Sequence, residues 1–91
     1  MKEIVTSTKF RKDLKRYQKN TEKLNKLFKI VQLLEEGLPI PEENKPHLLK
    51  GNYNGYMECH IENDFLLIWF DESSNLIKLV RLGTHSELFG K

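Results

Sequence analysis

Tyr56-Met57-Glu58-Cys59-His60-Ile61-Glu62-Asn63-Asp64-Phe65-Leu66-Leu67-Ile68-Trp69-Phe70 is the stretch that decides the fold of this chain. Met57, Cys59 and Ile61 alternate with Tyr56, Glu58, His60 and Glu62, the period-two pattern of a half-buried strand. Successive strand side chains point to opposite sides, so the first set marks a core face and the second an open face. Asn63-Asp64 supplies a tight turn, since both side chains satisfy nearby backbone groups. Phe65 to Phe70 is apolar without interruption, as in a central strand covered on both sides. Phe65 and Trp69 share one face of it, and core packing is the expectation for both. Asp71 to Asn75 reads as a second turn, and Leu76 to Leu82 as a third strand broken by Lys78 and Arg81. The result is an antiparallel meander.

Upstream of it the periodicity changes. Ile4 to Thr6 reads as a short strand, and Ser7 or Thr8 can cap a helix. Phe10, Leu14 and Tyr17 then lie on one helical face. Asn20 or Thr21 ends this helix and caps the next, whose apolar stripe is Leu24, Leu27, Phe28, Val31 and Leu34, widened by Ile30 and Leu33. Gly37 suits the position past the helix end, and Pro39 follows. From Leu38 to Asn54 the pattern dissolves into a long loop punctuated by Pro39, Pro41, Pro46, Gly51 and Asn54, and long loops in small domains are often functional. Gly83 to Gly90 has room for one short helical turn. The expected architecture is α+β: an N-terminal strand and a helical hairpin packed on an antiparallel sheet of about four strands. The far face of the sheet is expected to stay partly open beneath the loop and the C-terminal segment.

At 91 residues with 38% hydrophobic content, the chain is one folded domain spanning residues 1–91. Its single cysteine, Cys59, cannot close an internal disulfide. The N-terminus carries no apolar run of signal-peptide kind, and Phe65–Phe70 is too short to span a bilayer. A cytoplasmic location and no membrane partner are therefore expected. The net charge of +2 hides a strong separation. Between Lys9 and Lys29 nine basic residues face only Asp13 and Glu22, while from Glu35 to Glu72 nine acids face only Lys45 and Lys50. Such separation suits a polyanion on the basic face, although a lysine run is also what an ordinary solvated helix face looks like.

All three histidines lie in the second half: His47 in the loop, His60 on the open face, His85 after the last strand. The meander returns the C-terminus toward the sheet, which brings His60 and His85 within reach of one concave face, with Asp64 at the turn between strands. Lys50, Tyr56, Arg81 and Phe89 are further candidates. Histidine, carboxylate and arginine together suit RNA cleavage. The RNA 2′-hydroxyl attacks its own phosphodiester, so the protein supplies only a base, an acid and cations for the phosphate. Histidine titrates near neutral pH and serves as either acid or base. Arginine or lysine supplies the electrostatic stabilisation, and an aromatic ring stacks an unpaired base. Zinc binding through His47, His60, Asp64 and His85 is the weaker reading, because the spacings match no structural zinc motif. No metal and no cofactor are therefore expected. Cys59 points to the core face and is disfavoured as a nucleophile.

Three segments then carry a resemblance across essentially the whole chain: Pro46-His47-Leu48-Leu49-Lys50-Gly51, Gly55 to Ile68, and Arg81-Leu82-Gly83-Thr84-His85-Ser86-Glu87-Leu88-Phe89-Gly90. The sequence resembles the RelE/ParE superfamily of type II toxins, in its YafQ-like branch of messenger-RNA interferases. The resemblance implies a RelE-like fold and an endoribonuclease that cuts messenger RNA in the ribosomal decoding site. It also implies a cognate antitoxin, and contact with operator DNA only through the toxin–antitoxin complex. Its catalytic set matches here at His47, His60, Asp64, His85 and Phe89, and Arg81 matches a cation near the scissile phosphate. Where some relatives place tryptophan after the aspartate, this chain has Phe65, which keeps an aromatic ring but lacks an indole donor. The expected roles are His85 as general acid, His60 or Asp64 as base, His47, Arg81 and Lys50 on phosphate, and Phe89 in a base pocket. Lys12, Lys15 and Lys19 are expected on ribosomal RNA backbone. Two other functions use the same scaffold: a ParE-like gyrase inhibitor that does not cleave, and an inert partner in an operator repressor.

Overall fold

Turn and cap chemistry sets the element boundaries of the computed structural model, which describes residues 1–90. Strand β1 (Glu3–Thr6) leads into helix α1 (Thr8–Arg16). Ser7 is the cap: its Oγ accepts from Phe10 N at 2.9 Å and donates to the Val80 carbonyl at 2.8 Å, so it also pins the helix start to the sheet. Asn20 caps helix α2 (Thr21–Glu36) by accepting from Lys23 N, and Gly37 ends it in the left-handed conformation (φ 72°) that a side chain would oppose.

The long loop is more ordered than its composition predicts. It contains two 3-10 turns, Glu42–Asn44 and Gly51–Tyr53, and between them the short strand β2 (His47–Leu48). Strands β3 (Met57–Glu62), β4 (Phe65–Ser73) and β5 (Leu76–Gly83) form the expected meander, and helix α3 (His85–Phe89) closes the fold. Strand β4 runs past Phe70 into the exposed Asp71 to Ser73, and the turn shrinks to Ser74-Asn75. Those three residues are polar and solvated, so hydrophobic patterning cannot show that their backbones keep pairing with β5.

The sheet has five strands in the order β1-β5-β4-β3-β2, rather than about four. The extra member is β2, too short and too exposed to leave an alternation in the sequence. The sheet is also mixed: β1 runs parallel to β5, because the helical hairpin carries the chain across one face before the meander begins. The main core lies between that hairpin and the sheet, with Phe10, Leu27, Ile30, Leu34, Phe65, Leu67, Trp69, Ile77 and Leu82 among its buried members. Cys59 is also buried there, as its alternation predicts, and burial pushes its thiol up to about 12. Iodoacetamide at about pH 8 is expected to leave it unmodified in the native protein and to alkylate it in denaturant, since only the thiolate reacts. Native labelling at the denatured rate would show that β3 does not stay packed.

The opposite face is less open than expected. Leu66, Ile68 and Leu88 form a second small core, flanked by Leu49, Tyr53, Tyr56 and Val80. The uninterrupted apolar run of β4 feeds both cores, its odd residues facing the hairpin and its even residues this side. Among the described residues, no helix is long and apolar enough to cross a membrane.

Candidate functional site

Sheet register brings the site together. His47 of β2 pairs with Glu58 of β3, Glu58 with Ile68 of β4, and Ile68 with Arg81 of β5. Two residues along, His60, Leu66 and Gly83 form the next row on the same face. His85 follows Gly83 by two residues, at the first position of α3. Thr84 caps that helix in a reciprocal capping box with Glu87. Tyr17 donates to Glu87 Oε1, and Arg16 lies 3.5 Å from Glu87 Oε2, so the hairpin holds the C-terminal helix in place. Burial pushes the Glu87 carboxyl up, but the hydrogen bonds from Tyr17 and Thr84 outweigh it and leave the group below its usual range.

The three histidines follow one another as neighbours. The His47 and His60 ring centres are 6.5 Å apart, those of His60 and His85 5.9 Å, and Phe89 continues the series 6.0 Å from His85. Asp64, at the β3–β4 turn, accepts from both the backbone N and Nδ1 of His85, at 2.9 and 2.8 Å. The backbone hydrogen bond, then the side-chain one, holds the exposed Asp64 carboxyl below its ordinary value. The set His47, His60, Asp64, His85 and Phe89 therefore occupies one face.

Each Nδ1 has a defined neighbour. His85 Nδ1 faces a carboxylate and His60 Nδ1 faces the Asn63 carbonyl at 3.2 Å. Both neighbours only accept, which assigns the proton to Nδ1 in each ring. Neither Nε2 has a partner among the described residues, so both are presented to solvent above the sheet. His47 differs: Nδ1 lies 2.7 Å from the Lys45 carbonyl and Nε2 lies 3.2 Å from Glu58 Oε1. Both of its nitrogens are engaged with protein.

Alternation marks Glu58 only as an open-face neighbour of His60. It is 3% exposed, and its Oε2 has no hydrogen-bond partner among the described residues. Strand periodicity puts it on this face but cannot show that it is buried there. Glu62, expected on the same open face, turns instead to the hairpin and meets Lys23 at 2.6 Å and Lys26 at 2.7 Å. A register shift between His60 and Glu62 reverses its side.

Arg81 lies in the row of Glu58, but most of its guanidinium is held elsewhere. Nε and Nη2 donate to the buried Asp13 of α1 at 2.8 and 3.2 Å, and Nη1 lies 3.5 Å from the Tyr53 hydroxyl. The hydrogen bonds to Asp13 keep its pKa above the ordinary arginine value. Lys50 stands with Asn52, Tyr53, Leu88 and Phe89 around a cleft beside the histidines. Lys12, Lys15 and Lys19 are exposed on and just beyond α1, away from the histidine row in sequence and element. They form no ion pair among the described residues, unlike Lys23 and Lys26.

Comparison with known proteins agrees with this architecture. The family model described as "Bacterial toxin of type II toxin-antitoxin system, YafQ" matches residues 2–90. The chain is 37% identical to the mRNA interferase toxin YafQ of Escherichia coli K12 over 90 residues, covering 98% of this chain and 97% of that protein. The crystal structure of YafQ from E. coli BL21(DE3) superposes with a TM-score of 0.88 at 36% identity, covering 99% of this chain and 100% of that one. The YafQ chain of the E. coli DinJ–YafQ complex gives 0.85 at 37% identity, with the same coverage. With this full-length match in sequence and fold, the chain belongs to the YafQ family of bacterial type II toxin–antitoxin toxins.

Proposed function

We propose that this chain is a messenger-RNA interferase, an endoribonuclease that cleaves mRNA on the ribosome and is held in check by a cognate antitoxin. The observation that carries the reading is the row of His60 and His85, with each Nδ1 held by an acceptor and each Nε2 left available. That is the equipment a 2′-hydroxyl transesterification needs. His60, neutral with its lone pair on Nε2, takes the proton from the 2′-hydroxyl. The 2′-oxygen bonds to phosphorus and the P–O5′ bond breaks. His85, protonated on both nitrogens, releases its Nε2 proton to the departing 5′-oxygen. The products are a 2′,3′-cyclic phosphate and a 5′-hydroxyl. Asp64 orients His85 and takes no proton itself, in keeping with its lowered pKa.

His47 is not a shuttle in this scheme, since both its nitrogens are engaged. It and Lys50 supply positive charge to the phosphate. Arg81 contributes through Nη1, the part of its fork that Asp13 leaves unclaimed. Phe89, 38% exposed beside His85, offers a ring for a base. The relative solved with DinJ supports an antitoxin partner for this chain as well. Operator DNA is contacted through that complex, and a ribosomal substrate implies a cytoplasmic location.

The test is induced expression without antitoxin, with mRNA ends mapped for wild type and for His85→Ala. Codon-phased ends with wild type only support the reading. Harmless expression, or growth arrest with intact mRNA and inhibited gyrase, sinks it.

Lys12, Lys15 and Lys19 belong to the part of the basic run that forms no ion pair among the described residues, and they meet ribosomal RNA backbone. Lys12→Glu, Lys15→Glu and Lys19→Glu together are expected to weaken ribosome association. The slope of log affinity against log salt should become shallower by roughly one for each phosphate no longer neutralised. Unchanged sedimentation with ribosomes at moderate salt would make these lysines a solvated surface only.

A further inference from the structure

The cleft between the Gly51–Tyr53 turn and α3 adjoins the histidine row but holds none of the histidines. It encloses about 470 Å³, within the roughly 300–1,000 Å³ of small-ligand clefts. The Tyr53 and Phe89 rings both line it and meet edge to face, 5.9 Å apart at 84°. Leu88, buried in the second core, contributes apolar lining from α3. Asn52 adds an amide with both a donor and an acceptor, and Lys50 a cation. Tyr53 is itself fixed, by Tyr56 at 5.8 Å and by Arg81 at its hydroxyl. Phe89 joins this cleft to the histidines, 6.0 Å from His85.

We infer that this cleft is a nucleobase subsite, which holds the unpaired base of a nucleotide next to the cleaved phosphate and in which Tyr53 and Asn52 take part in base selection. The inference rests on the ribonuclease reading above and deepens it. An aromatic face accepts any base by stacking, whereas an amide distinguishes base edges by their donors and acceptors. Lys50 neutralises the phosphate of the same nucleotide. The pre-set angle between the two rings leaves a base one face to stack on and one edge to abut. Ordering Tyr53 in advance through Tyr56 and Arg81 lowers the entropy cost of capture.

The test uses the full chain and a 2′-O-methyl RNA trinucleotide, which binds without being cut, followed by backbone-amide NMR titration. The same titration is run with trinucleotides carrying an abasic sugar at each position in turn. The expected result is that shifts cluster at Asn52, Tyr53 and Phe89. Tyr53→Ala should weaken binding about tenfold or more, the effect of removing one stacked base. Tyr53→Phe, which keeps the ring but loses the hydroxyl that meets Arg81, should bind between wild type and Tyr53→Ala. One abasic position should abolish the difference between wild type and Tyr53→Ala, and Asn52→Ala should narrow the spread of affinities among the four bases there. Wild type binding every abasic trinucleotide as well as its parent overturns the proposal. So does Tyr53→Ala weakening the parent and every abasic form equally, because Tyr53 would then act only as a support. Base-dependent binding by a protein that cuts no mRNA in cells would instead refute the ribonuclease reading and leave the subsite standing.

Discussion

His85→Ala is expected to lower mRNA cleavage by about 10²–10⁴-fold, the usual contribution of one positioned proton donor. Its Nδ1 is held by Asp64 at 2.8 Å, which turns Nε2 outward. Removing the ring removes the proton that O5′ must receive, while the capping box of Thr84 and Glu87 keeps α3 folded. The pH profile separates this role from a structural one. A general acid works only when protonated, so wild-type activity falls at high pH. A general base works only with its lone pair free, so activity falls at low pH. The His85→Ala profile should lack the alkaline fall and keep the acidic one. Single-turnover cleavage of ribosome-bound mRNA across pH measures both. Cleavage at the wild-type rate, or a profile that keeps its alkaline fall, removes His85 from the role of acid.

Asp13→Ala is expected to give the largest loss of stability, about 3–5 kcal/mol. Asp13 is 3% exposed and accepts from Arg81 Nε and Nη2 and from the Leu82 backbone N at 2.9 Å. Its removal leaves Nε and Nη2 of a mostly covered guanidinium, and a buried N–H, without partners. Against a total of roughly 5–15 kcal/mol for a domain of this kind, that is a large fraction. Urea unfolding followed by circular dichroism registers it as a lower midpoint at unchanged slope. The double variant Asp13→Leu, Arg81→Met should recover much of the stability, because an apolar pair leaves no stranded charge. A loss below about 1 kcal/mol for Asp13→Ala, the range of a surface ion pair, would show that solvent screens this pair. Arg81 thus ties β5 to α1 before it contributes to any phosphate site. In the sequence this arginine stands out only as a cation interrupting the third strand, and Asp13 only as one of two acids diluting a basic run.

Alternation alone puts Cys59 and His60 on opposite faces, and they occupy them. It fails at Glu62, since a bulge inserts an odd step that a period of two cannot register. Glu58 lies on the expected face, but its burial is a tertiary outcome, and the β2 strand that sets His47 beside it is two residues long and leaves no period to read. Tyr53 carries no signal beyond being aromatic in a loop. Its place opposite Phe89 depends on how the Gly51–Tyr53 turn meets α3, far along the chain.

By itself the sequence determined the meander, the helical hairpin, the helix caps to within one residue (Ser7 or Thr8, Asn20 or Thr21), and the three histidines as candidates. These depend on local periodicity and on side chains that bond their own backbone, both written within a few residues. The tertiary structure alone decided that β1 runs parallel beside β5, that Asp13 takes most of Arg81, and that His47, His60 and His85 stand as successive neighbours with defined ring protons. Those outcomes depend on register and on partners tens of residues apart, where packing of the whole chain chooses among pairings that local sequence leaves equal.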